Sequence, residues 1–153
     1  MLYNTLLFVH IVAAMVWVGG SVTITVLASR AVRSGDPARI ATMSREAGFV
    51  GQRIITPTSV VLLAMGLSMV AVSDAWTIGQ TWIILALVVF GATFLVGALF
   101  FGPESGRVEK AIAERGADDP EAHRRLRRIL AVSRIDLLLL LLVVADMVFK
   151  PGL

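Results

Sequence analysis

An all-α membrane protein, a four-helix antiparallel bundle forming a single domain over residues 1–153, is the fold that the sequence predicts. Three observations carry this expectation. Hydrophobic residues make up 57% of the chain and the mean hydropathy is +0.83, outside the soluble class. Apolar runs at residues 2–27, 54–72, 81–101 and 129–149 are each long enough to cross a bilayer as a helix. The charges are also sorted by segment. Arg30, Arg33, Arg39, Arg45 and Arg53 lie between the first two runs, and eight of the other nine basic residues lie between Arg107 and Arg134. The turn at residues 73–80 carries none, and the C-terminal end has only Lys150. Loops 28–53 and 102–128 are therefore expected in the cytoplasm, with both termini outside (N-out, C-out).

The first run sets the site. Its flank, Met-Leu-Tyr-Asn, is uncharged and its apolar core is too long for a cleaved signal, so a retained helix is expected. At 100° per residue, Tyr3, Leu6, His10, Ala14, Trp17, Ser21, Ile24 and Ala28 share one face, while Phe8, Val12, Met15 and Val26 suit lipid. His10 is the one histidine placed inside the membrane, where an imidazole must find a partner.

Beyond Arg33, Asp36 caps a helix that begins at Pro37, where a missing N–H costs nothing. Residues 38–49 read as an interfacial helix or as an extension of the second span. Pro57 either starts that span, with Thr56 as cap, or kinks a continuous helix. In it, Pro57, Val61, Ala64, Ser68 and Ala71 form a small-residue seam, beside Met65 and Met69. Trp76 and Trp82 flank the short outer turn at the level where indoles anchor. In the third span Gly91, Ala92, Gly97 and Ala98 offer close packing. A second Asp-Pro cap, Asp119-Pro120, opens a helix running unbroken to about Phe149, roughly 45 Å against a core of ~30 Å. Two Asp-Pro caps after odd-numbered spans hint at two parallel hairpins, without a residue-level repeat.

The sequence contains no cysteine, so disulfides, thiolate metal sites and cysteine nucleophiles are excluded. No phosphate loop, zincin motif or Ser/His/Asp set is present either. The formal charge of +3 reflects topology and anionic-lipid contact at the basic loops, above all Arg124-Arg125-Leu126-Arg127-Arg128, and not a nucleic-acid partner.

Two readings of His10 stand side by side: a packing histidine bonded to a neighbouring helix, or a ligand. Among cofactors b-type haem suits it best, with His10 axial, Ala14, Trp17 and Gly20 along the haem face, and electrons passing to an unidentified redox partner. His10 lies about 10 Å below the outer surface, a depth that the second span reaches near Met65 and Met69. The second ligand is then Met69 or Met65, the His10 of a homodimer partner, or none. Copper bound by His10 with Met15, Met65 or Met69 is the alternative. His123 belongs to the cytoplasmic side. Arg53, Arg134 and Asp136 fall at similar depth, as an Arg–Asp pair or as snorkelling arginines with an interfacial aspartate. Asp146 pairs with Lys150, orients His10 or passes protons to it.

The chain resembles a bacterial family known only as predicted integral membrane proteins of unknown function. The likeness runs from His10-x6-Trp17-Val-Gly19-Gly20 through Ile55-Thr-Pro57-Thr-Ser59, Trp82 and Phe101-Gly102-Pro103 to Phe149-Lys150-Pro151-Gly152. In the first helix alone it is also similar to the copper-resistance protein D family, associated with copper passage, and to HemJ-type protoporphyrinogen oxidases, which bind haem. Those likenesses imply a metal or haem role for His10. The basic residue expected in the second helix region of the oxidases is missing here unless Arg53 serves.

Overall fold

Four long helices account for nearly all of the computed structural model, which describes residues 1–116 and 118–152. Helix α1 spans Leu2–Ser34, α2 Pro37–Ala71, α3 Thr81–Arg115 and α4 Pro120–Phe149. Helix α1 ends on Gly35, whose left-handed φ of 65° is the conformation that lets glycine close a helix. Both Asp-Pro starts are capped as the sequence implies. The Asp36 carboxylate accepts from the Ala38 N–H, and Asp119 from the Ala122 N–H, each at 3.0 Å.

Helices α2 and α3 do not stop at the membrane border, so residues 38–49 extend the second span and do not form a separate helix. Each passes through one wide turn, Gly51–Ile55 in α2 and Gly97–Phe101 in α3. Pro57 and Pro103 explain them: a proline lacks the N–H of the helical ladder, and its ring collides with the carbonyl four residues back. The chain absorbs that conflict with i→i+5 bonding just before the ring. The Thr56 and Gly102 N–H groups reach back to the Gly51 and Gly97 carbonyls, and the Thr56 hydroxyl donates to Gly51 as well, at 3.0 Å. The shared signature, a glycine six residues before a proline, was readable and is a repeat that the Asp-Pro comparison missed.

Among the described residues three helices, α1, α2 and α3, are long and apolar enough to cross a membrane. In α4 the apolar stretch also carries Arg134, Asp136 and Asp146, which sets it apart from the other three. Helix α1 packs along α2 and α4, and α4 along α3. The halves of α2 and α3 next to the Val72–Gln80 turn make little contact with each other, whereas Pro37–Val50 packs on Gly102–Arg115. The bundle therefore has an aromatic end, holding Tyr3, Trp76, Trp82 and Lys150, and an ionic end built from arginines and acids.

Two buried clusters hold it. Ala13, Trp17, Leu62 and Leu140 pack in the half near the aromatic end, and Ile40, Val108 and Leu126 near the ionic end. Phe8, Val12, Met15 and Val26 of α1 are exposed as expected. The α2 seam is a correction. Pro57, Val61, Ala64 and Ala71 face outward, and the packed residues are Ile55, Ser59, Leu62 and Gly66. In α3, Gly91 and Gly97 likewise approach no neighbour, and Ile83, Ala86 and Thr93 are the buried positions.

Candidate functional site

His10 meets α2 where the depth argument placed it, but against backbone. Its Nδ1 lies 3.0 Å from the Leu62 carbonyl oxygen. A carbonyl only accepts, so Nδ1 carries the proton and Nε2 keeps its lone pair. The ring rests on Gly66: a Cβ there would sit 3.2 Å from His10 Cε1 and 3.4 Å from Nδ1. The missing side chain lets the imidazole reach the carbonyl, which makes His10 a pin between α1 and α2. Gly66 and Leu62 meet the ring, with Met65 and Met69 on the same helical stretch.

The other residues of the expected haem face are taken by protein. Trp17 is 7% exposed and packs edge-on against Phe90 at 5.2 Å between centroids. Ala14 joins the same cluster. Gly20 is covered by Ile55, whose Cδ1 lies 2.7 Å from where a Cβ would stand. A haem plane laid along this face would displace Phe90 and Ile55, so these residues do not fit haem within one chain. His123, at the ionic end, directs Nδ1 to the Asp119 carbonyl at 3.3 Å, far along the bundle from His10.

Between the two buried clusters the helices border a half-open chamber of about 180 Å³. Trp17 closes it toward the aromatic end, and Ile40, Val108 and Leu126 toward the ionic end. Both wide turns border it, through Gly51 and Ile55 and through Gly97 and Phe101, so the proline-driven irregularity of α2 and α3 shapes its walls. The lining is apolar except for a few hydroxyls and one carboxylate. Thr93 and Ser133 spend their hydroxyls on the Phe90 and Leu130 carbonyls of their own helices. Ser44 Oγ and Asp136 Oδ1 do not: both are sealed from solvent and have no partner among the described residues. Both residues line the cavity, although these two oxygens stand behind its surface, out of reach of a water-sized molecule.

Asp136 is thus a chamber residue and not half of an ion pair. Arg53 and Arg134 are exposed, and no salt bridge joins either to Asp136 among the described residues. Asp146 departs from expectation as well. Lys150 turns its ammonium to the faces of Trp76 and Trp82, at 4.2 and 5.5 Å, and leaves Asp146 Oδ2 buried without a partner. His10 spends its Nδ1 on Leu62, so Asp146 does not orient it through that nitrogen.

The ionic end closes with a network. Glu104 is 4% exposed, bonded to Arg107 on its own helix and to Arg125 of α4 at 3.0 Å. Arg125 also reaches Glu121 at 2.7 Å. The Arg107 hydrogen bond, with Arg125 beside it, holds the Glu104 carboxyl below the usual carboxylate range against the opposing effect of burial. Sequence reading missed Glu104 and Ser44. A glutamate one residue after Pro103, facing a cluster of arginines, was the only signal for the first.

Residues 4–151 match the family model described as "Predicted integral membrane protein (DUF2269)". The chain belongs to this family. It is accordingly a multi-pass integral membrane protein in contact with the lipid bilayer. No curated protein and no solved structure matches it. Against the exposed leucines and valines of the helices, Ser44 and Asp136 stand out as polar residues on an inward-facing cavity.

Proposed function

We propose that this is a four-span protein of the bacterial cytoplasmic membrane, both termini outside, whose chamber binds a small lipophilic molecule through a single amine or other donor group. The carrying observation is that Asp136 and Ser44 both line one mostly apolar cavity, Asp136 as its one carboxylate, with no ion pair to either side chain among the described residues. An acceptor carboxylate and a hydroxyl in low-dielectric surroundings favour a ligand with one N–H or O–H and an apolar body. A cavity of about 150 Å³ holds a benzene-sized molecule, which sets the scale. The basic residues gathered at the ionic end support its cytoplasmic placement, with anionic lipids as neighbours of Arg124, Arg127 and Arg128.

Benzylamine is the test probe, since Trp17 borders the chamber and reports occupancy by its fluorescence. A saturable response to benzylamine, absent for toluene and lost in Asp136→Asn, supports the reading. Equal responses in wild type and Asp136→Asn overturn it. A reporter inserted after Gly116 is expected to behave as cytoplasmic, and the reverse refutes the orientation.

The second reading keeps His10 as a ligand. It is supported by the Nδ1 hydrogen bond, which leaves Nε2 free and fixes the tautomer, as a carbonyl does behind many metal-bound histidines. With the α1 face filled, the metal is copper near Met65 or Met69, or a haem shared across a homodimer. Purified protein that shows no Soret band after haem supplementation, and retains no copper, sinks it.

A further inference from the structure

At the aromatic end we propose a second binding site, for an organic ammonium, which the chain's own Lys150 occupies. The indoles of Trp76 and Trp82 meet at 87° with centroids 5.4 Å apart, so two faces turn toward one point. The Lys150 ammonium lies at that point, 4.2 Å from one ring and 5.5 Å from the other. Crossed aromatic faces around a cation are how proteins recognise quaternary ammonium groups, through the negative potential over each ring. Trp76 is fixed by donating its Nε1–H to the Tyr3 hydroxyl at 3.1 Å, so one wall of the cage is held in place from α1.

Two further observations separate this cage from a simple interfacial anchor. Trp82 Nε1 and Asp146 Oδ2 are buried with no partner among the described residues, although Lys150 is one turn from Asp146. An anchoring lysine would pair with that carboxylate; this one leaves it and takes the rings. Lys150 is also built to leave. It ends α4 with φ 45°, a left-handed conformation costly for a residue with a side chain. An ammonium that displaces the Lys150 side chain keeps both ring contacts.

The ligand class is a methylated ammonium, carried by a zwitterionic lipid headgroup or free in solution. The test uses the full chain in detergent, with tryptophan fluorescence titrated by tetramethylammonium chloride against sodium chloride at equal ionic strength. Lys150→Gln empties the cage and is expected to bind about tenfold more tightly than wild type. Adding Trp76→Leu to that variant abolishes the response, while Trp76→Phe, which keeps a ring face, retains most of it. In phosphatidylcholine vesicles a headgroup source predicts loss of the Lys150→Gln response, with persistence in phosphatidylglycerol. Persistence in both identifies a free cation. No saturable response in Lys150→Gln, binding equal to wild type, or binding indifferent to Trp76→Leu overturns the proposal.

Discussion

The half of the bundle near the aromatic end is packed around α1. Trp17, Leu62 and Leu140 fill it, and His10 touches the α2 backbone across Gly66. The half near the ionic end is built from the same four helices, yet it borders the chamber and is drawn together only beyond it, by Ile40 and Val108 and by the acids around Arg125. The wide turns make the difference. Before Pro57 and Pro103 each helix changes its carbonyl directions and its register, so side chains that would have met across the axis line a space. Close packing without a hydrophobic drive needs small residues and a matched register. The first half has both at Gly66. In the second, Gly51 and Gly97 open onto the chamber with nothing within 4 Å of an added Cβ.

Trp17 stands on the boundary, and removing it is the largest way to break the contrast. Trp17→Ala deletes the contact with Phe90 and joins the chamber to the Leu62 cluster, at an expected cost of about 3–5 kcal/mol. Phe101→Ala, on a wall that already faces space, costs clearly less. Thermal unfolding midpoints in one detergent compare the two, and equal losses show that the halves are packed alike.

The ionic closure is tested by pH. The Glu104 carboxyl titrates below its unfolded value because Arg107 and Arg125 favour the charged form. The folded state therefore gains stability from it above the unfolded pKa, and that gain disappears as pH falls through the lower folded pKa. Glu104→Gln removes this contribution, so its unfolding midpoint is expected to vary less than wild type between pH 7 and acid. Parallel profiles refute a role for Glu104 in holding the ionic end. The chamber response to benzylamine at neutral pH gives an independent reading of whether loosening that end opens the cavity.

The helix ends were legible because caps are local chemistry. Asp36 and Asp119 each bond an N–H within three residues, and no distant contact is needed to place them. The packed face of α2 was not legible. In soluble helices the polar side marks solvent, but here the outer side is lipid, and Val61 and Ala64 resemble core as much as Leu62 does. Only Ser59, buried with its hydroxyl on the Thr56 carbonyl, broke that symmetry in favour of the true face. His10 was found because a histidine in hydrocarbon stands out, and its partner was not, because a backbone carbonyl has no letter in a sequence. The chamber lay beyond reach for a similar reason: Ser44 and Asp136 are 92 positions apart and meet only through a register set by two wide turns.

The smallest effect comes from one substitution made in both halves. A methyl at Gly66 meets the His10 ring at 3.2 and 3.4 Å, and the ring cannot retreat without stretching its bond to the Leu62 carbonyl. Gly66→Ala is expected to cost about 1–3 kcal/mol as overpacking, partly offset by better helix propensity. At Gly97 the same methyl meets nothing within 4 Å, so the propensity gain stands alone, about 0.8–1 kcal/mol in favour of the variant. Opposite signs of the unfolding-midpoint shift are the expected outcome. A destabilised Gly97→Ala means that the wide turn itself needs glycine, with Pro103 no longer sufficient to account for it. A neutral Gly66→Ala means that the ring swings aside freely. In that case His10 is not the pin between α1 and α2, and the half near the aromatic end owes its packing to Trp17 and Leu62 alone.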